Sequence, residues 1–118
     1  MSFSLKNLPE RYAKPRTEGI TLVLDKGYSI RQVEDLVDVC SKHIDIVKLG
    51  WGTSYVTQGL EEKIKVYQNA GIPVYFGGTL FEAYLMRNQL SDYRKLMEHY
   101  EISHLEVSNG TILLSDDK

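Results

Sequence analysis

The run Ile44-Asp45-Ile46-Val47-Lys48-Leu49-Gly50-Trp51-Gly52-Thr53-Ser54 holds an apolar, partly β-branched segment, one lysine near its end, and then two glycines around a tryptophan. Such a run fits a buried strand of a parallel sheet, and its break into glycine marks the C-terminal tip that hands Lys48 to a site formed by turns. The same plan recurs on either side. Ile20-Thr21-Leu22-Val23-Leu24 ends in Asp25-Lys26-Gly27, Val74-Tyr75-Phe76 runs into Gly77-Gly78-Thr79, and Leu105-Glu106-Val107-Ser108 runs into Asn109-Gly110-Thr111. These four segments read as strands whose polar groups collect at their C-terminal ends.

Helical patterns separate them. Ser29 with Gln32 makes a capping box ahead of the stripe Ile30, Val33, Leu36, Val37 and Cys40. Leu60, Ile64 and Tyr67 line one face of a second helix, with Gly71 at its C-cap and Pro73 blocking continuation. Thr79 and Glu82 have capping-box spacing, which predicts a helix starting directly at the glycine turn. A fresh stripe of Tyr93, Leu96, Met97 and Tyr100 predicts a break between Asn88 and Ser91 and a further helical piece.

Composition bounds the function. The chain has 118 residues, 42% of them hydrophobic and 25% charged, so it is long enough for one core and is expected to form a single domain over 1–118, with 1–19 as an irregular lead-in. A net charge of -2 offers no basic field for a phosphate backbone, which argues against nucleic-acid binding. No apolar stretch approaches the roughly 18 residues of a membrane span, and the first residues lack a signal-peptide core, so a soluble cytoplasmic protein is expected. The lone cysteine, Cys40, excludes an internal disulfide and belongs to the apolar stripe of its helix.

Alternating strands and helices imply parallel strands joined by crossovers, in an α/β fold. Two architectures satisfy that order: an open doubly wound sheet and part of a (β/α)8 TIM barrel. The turn Asp25-Lys26-Gly27-Tyr28-Ser29 lacks the G-x-G-x-x-G of a dinucleotide fold. The barrel gains from Asp25, Lys48, Glu106 and Ser108, all at or near strand C-termini, where barrel enzymes place their chemistry. Alternation puts Lys48 on one face with Ile44 and Ile46, and Glu106 on one face with Ser108, so the two sets are expected to meet in one cavity. Ser115-Asp116-Asp117 reads as the start of a helix that does not follow. Four βα units are about half of a barrel of roughly 250 residues. The expectation is a fragment, a truncated gene product, or a half-barrel that pairs with a second copy or with a C-terminal half.

Lys14-Pro15-Arg16, Leu24-Asp25-Lys26-Gly27, Val47-Lys48-Leu49-Gly50-Trp51-Gly52-Thr53-Ser54, Leu60-Glu61-Glu62-Lys63, Gly77-Gly78-Thr79-Leu80-Phe81-Glu82 and Glu106-Val107-Ser108-Asn109-Gly110-Thr111 together resemble the successive motifs of the phosphosulfolactate synthase family, over nearly the whole chain. The resemblance implies a TIM-barrel lyase, acting as a synthase. It would add sulfite to phosphoenolpyruvate with magnesium (Mg2+) and yield (2R)-phospho-3-sulfolactate, a precursor of coenzyme M or of sulfolactate. The departure from that family is length, since its members have about twice this chain.

The residues can be matched to that chemistry. Asp25, Glu82 and Glu106 are the candidate oxygen ligands for magnesium, which favours carboxylates and retained waters. Lys48 is the candidate acid for the proton delivered to C2 after sulfite attacks C3, with Glu106 beside it in the catalytic set. Arg16, Lys26, Gly78, Thr79 and Ser108 are the candidate substrate contacts, through a guanidinium fork, an ammonium, turn amides and a hydroxyl. Each has a plainer reading. Glu82 also fits the capping partner of Thr79, Asp25 a turn cap before Gly27, Lys48 a salt-bridge partner, Arg16 a solvated or salt-bridging surface group, and Lys26 a turn position. Trp51 reads equally as a cover over the site or as a buried anchor. His43, His99 and His104 are not spaced as a metal set. Two further readings stay open: a catalytically incomplete half-barrel acting as an assembly module, and another enolate-forming lyase on a phosphorylated acid.

Overall fold

The computed structural model describes residues 3–110. In chain order it contains β1 (Leu22–Asp25), α1 (Ile30–Cys40), a 3-10 turn (Ser41–His43), β2 (Ile46–Leu49), α2 (Thr53–Val56), α3 (Leu60–Asn69), β3 (Val74–Phe76), α4 (Gly78–Met86) and α5 (Leu90–His99). The three strands form one parallel sheet in the order β1-β2-β3. The register aligns Leu24 with Lys48 and Lys48 with Tyr75 across neighbouring strands.

All the larger helices lie on one face of that sheet. Val47, Leu49, Val74 and Phe76 point to it and share a single core with Val33 of α1, Ile64 and Tyr67 of α3, Phe81 of α4 and Tyr93 of α5. Each fully buried aliphatic or aromatic side chain contributes roughly 1.5–3 kcal/mol by leaving water. Tyr93 ties the later helices to the sheet, its ring standing edge-on to Phe76, Phe81 and Tyr84 at 6.2, 5.7 and 5.3 Å. The opposite face, formed by Leu22, Leu24, Ile46, Lys48 and Tyr75, carries none of these helices, and Leu22 is 49% exposed on it.

Local signals explain most boundaries. The Ser29–Gln32 capping box forms in both directions, at 3.2 and 2.8 Å, and starts α1 where expected. Gly71, at φ +76°, closes α3 as its amide bonds to Gln68 O and that of Ile72 to Tyr67 O. The expected break between the last two helices falls at Asn88, whose φ is +57°.

Two expectations fail. Helix α4 starts at Gly78 with Gly77 as its N-cap and no side-chain cap, so Thr79 and Glu82 form no capping box. The cause is the hand-over from β3: the Gly77 amide still bonds to Leu49 O at 2.8 Å, and the helix begins at the next residue. Thr79 thus falls inside the first turn, exposed, while Glu82 turns inward. The second failure is the fourth strand. Residues 105–109 take no strand conformation and Gly110 lies in a bend, while Thr111 and the capping signal at Ser115-Asp116-Asp117 lie outside the described residues. The run is held instead by side chains, Glu106 on Lys48 and Ser108 on Glu82.

The lead-in is irregular as expected, yet it is anchored. Arg16 is pulled in by Asp45, at 2.6 Å, and also donates to Tyr12 O and Lys42 O. Asp45 precedes β2 and accepts from the Thr21 amide at 2.7 Å. That backbone bond first, and the Arg16 charge after it, hold the Asp45 carboxyl below its ordinary range against the opposing effect of desolvation. Arg16 is therefore the salt-bridging group of its plainer reading and no rim residue, because it closes the end of the sheet opposite Lys48.

Candidate active site

Lys48 is the last but one residue of β2, on the uncovered face. Its Nζ lies 2.7 Å from Glu106 Oε2, and the two side chains remain 27% and 30% exposed. This joins residues that are far apart in sequence, and the link runs through α4. The segment carrying Glu106 packs so closely on the first turn of that helix that a Cβ on Gly78 would sit 2.5 Å from Ser108 Cβ and 2.7 Å from Glu106 Oε1. Only glycine leaves that space. Ser108 Oγ then donates to Glu82 Oε1 at 3.1 Å, and the Gly110 amide donates to Ser108 Oγ. Lys48, Glu82, Glu106, Ser108 and Gly78 thus converge at the C-terminal end of the sheet.

Lys26 reaches the same rim from β1, its Nζ 5.0 Å from the centre of the Trp51 ring. Trp51 is 61% exposed and sits at φ +49°, so it covers the rim and is no buried anchor. Thr79 is exposed one residue beyond Gly78.

Asp25 does not join them. It belongs to the face of β1 that meets the helices, and it is wholly buried. Its Oδ1 accepts from the amides of Gly27 and Tyr28, both at 2.8 Å, and from Lys63 Nζ at 3.0 Å, while its Oδ2 accepts from the Tyr67 hydroxyl at 2.8 Å. The turn-cap reading of Asp25 is right, and the metal-ligand reading fails because the carboxylate is wholly buried among protein donors and faces the wrong way.

The three-acid magnesium set therefore does not assemble. No group of three or more His, Cys, Asp or Glu side chains suited to a metal occurs among the described residues. Glu82, whose Oε1 accepts from Ser108, and Glu106, whose Oε1 lies against Gly78, are the two carboxylates that would offer oxygens to a metal at this end of the sheet. That suits magnesium, which usually takes one or two carboxylates and completes its shell with water and substrate oxygens.

Three positions next to these groups were not singled out in the sequence. Tyr75 is the cross-strand neighbour of Lys48 on the open face, and its hydroxyl is pushed up by burial, with Glu106 adding to the shift and Lys48 opposing it. Strict alternation in Val74-Tyr75-Phe76 was the available signal. Lys63 and Tyr67 hold Asp25. Lys63 stands on the same stripe as Leu60, Ile64 and Tyr67, and a lysine in an apolar stripe calls for a buried acid.

The (2R)-phospho-3-sulfolactate synthase (ComA) family model matches residues 9–118. The chain is 39% identical to the phosphosulfolactate synthase of Bacillus subtilis (strain 168) over 97% of its own length and 45% of the relative's. It is 35% identical to that of Methanothermobacter thermautotrophicus over 93% and 43%, and 42% identical to that of Methanocaldococcus jannaschii over 79% and 38%. The chain thus spans less than half the length of the curated relatives it matches. Matched along nearly all of its residues and carrying a lysine-carboxylate cluster at its strand tips, the chain belongs to the phosphosulfolactate synthase family.

Proposed function

We propose that the chain supplies the first half of a (β/α)8 barrel that adds sulfite to phosphoenolpyruvate, giving (2R)-phospho-3-sulfolactate. The barrel is supported by the strand order β1-β2-β3, which has no switch point, and by helices kept to one face. The reading rests most on the 2.7 Å approach of Lys48 to Glu106 on the open face, which in a barrel is the lumen.

The sulfur lone pair of sulfite attacks C3 of the enol phosphate, and the C2–C3 π pair moves onto C2 and into the carboxylate. A proton delivered to C2 completes the addition and leaves the phosphate ester intact. Lys48 donates that proton, with Glu106 holding the ammonium in place and solvent recharging it. Tyr75, beside Lys48, donates a hydrogen bond to the substrate carboxylate. Lys26 draws the anionic substrates to the rim, while Ser108 and the first-turn amides at Gly78 and Thr79 hold a substrate oxygen. Glu82 and Glu106 would hold magnesium, which would supply Lewis-acid stabilisation of the enolate charge.

Product formation from phosphoenolpyruvate, sulfite and magnesium, followed by mass spectrometry, tests this. Lys48→Ala is expected to lose turnover by about 10²–10⁴-fold, the usual share of general acid catalysis, with an unchanged thermal midpoint. Full activity in that variant would remove Lys48 from its role. Turnover with carbon nucleophiles but not with sulfite would instead mark another enolate chemistry.

A second reading draws on the open sheet face, where Leu22 is exposed, and on the exposed Leu105 and Val107 of the following segment. Under it the chain is an assembly module that pairs with a complementary half or a second copy without turning over substrate. A chain that sediments as a stable dimer yet makes no product favours that reading.

A further inference from the structure

Asp25 is bonded by two sets of donors that belong to different parts of the molecule. The Gly27 and Tyr28 amides come from the turn between β1 and α1, directly after Lys26. Lys63 and Tyr67 come from α3, one helical turn apart, and are buried with it. The turn cannot shift without breaking bonds to the helix. Lys26 is the residue between the anchored carboxylate and the anchored amides, and its ammonium rests against Trp51.

A buried ion pair is a poor device for stability alone, because apolar replacements of the same volume are often as good or better. Its usefulness here is directional. A carboxylate with fixed donors on both sides sets the path of the backbone between them, as a single apolar contact would not. We infer that Asp25, Lys63 and Tyr67 are positioning residues: they lock the β1–α1 turn to α3 so that the Lys26 cation is presented at the strand-tip rim, over Trp51, to an anionic ligand. This concerns where a cation is held, so it stands or falls independently of the reaction proposed above.

Trp51 is the one tryptophan of the chain, which makes its fluorescence a site-specific probe. A neighbouring ammonium concentrates iodide at the indole but has no such effect on neutral acrylamide, so the ratio of the two quenching constants reports Lys26. Lys26→Met is expected to lower that ratio and defines its floor. Tyr67→Phe, which removes one donor from Asp25 at almost constant volume, is expected to move the ratio at least halfway to that floor while far-UV circular dichroism stays native. A purely structural role for the cluster would lower the thermal midpoint and leave the ratio alone. A wild-type ratio in Tyr67→Phe, or in Lys26→Met itself, overturns the inference. A measurement on the unaltered chain checks it if the variant does not fold. The Gly27 and Tyr28 amides are expected to exchange hydrogen as slowly as those of α3, and exchange at the rate of a free loop overturns it.

Discussion

Two lysine-carboxylate pairs stand at the C-terminal end of one small sheet, and they do different things. Lys63 and Asp25 meet at 3.0 Å behind it, with 1% and 0% of their side chains exposed and both oxygens of the acid hydrogen-bonded. Lys48 and Glu106 meet at 2.7 Å in front of it, more than a quarter exposed. The first pair is closed to any ligand and serves the architecture. The second can exchange partners with an incoming anion or metal, because water already reaches it. Polar residues at strand tips are thus not enough to define a site, since the face of the sheet decides which of them are available.

The comparison predicts unequal costs. Lys63→Met leaves an uncompensated buried carboxylate and is expected to destabilise the fold by about 3–5 kcal/mol, read from urea unfolding. A loss below that of a surface pair would mean Asp25 is solvated and the contrast is wrong. Alkaline titration attacks the covered face next. Burial first, and the Asp25 hydrogen bond and charge after it, raise the Tyr67 hydroxyl, while burial raises that of Tyr93 to about 12. Folding therefore keeps both protonated. Their contribution is intact below the ordinary tyrosine value of 10.0 and is lost as pH climbs through the raised values, so the thermal midpoint is expected to fall above pH 10.0.

Gly78→Ala probes the open side. Its added methyl collides with Ser108 and Glu106 and is expected to cost about 1–3 kcal/mol while separating Glu106 from Lys48. Native activity in that variant would show that the segment carrying Glu106 is placed by something other than α4. Glu106→Gln is expected to change stability least, by roughly 0.2–1 kcal/mol, as for other solvent-exposed pairs. It should nevertheless weaken magnesium-dependent turnover, and a large stability loss instead would put this pair in the same class as the first.

Period and punctuation carried the local reading a long way. The stripes of α1 and α3, the Ser29 box, the Gly71 stop and the break at Asn88 are written in residues a few positions apart, and local sterics enforce them. Parallel strands with a shared rim followed from alternation of strand and helix, and the meeting of Lys48 with Glu106 followed from that rim. Family membership was equally plain in the ordered glycine motifs.

Contacts between distant segments were not written locally. Glu82 forms no capping box with Thr79 because the last sheet bond holds Gly77, and the run at Leu105 makes no strand but is tied down through Glu106 and Ser108. Arg16 was drawn to Asp45 rather than to the rim, and Asp25 to Lys63 and Tyr67 rather than to a metal. The sequence by itself determined three of the strands, the longer helices, and the end of the sheet at which their polar groups gather. Tertiary structure alone decided which acid is open to a ligand, since a carboxylate binds whichever donors burial brings within reach, and those donors lie some forty residues away in the chain.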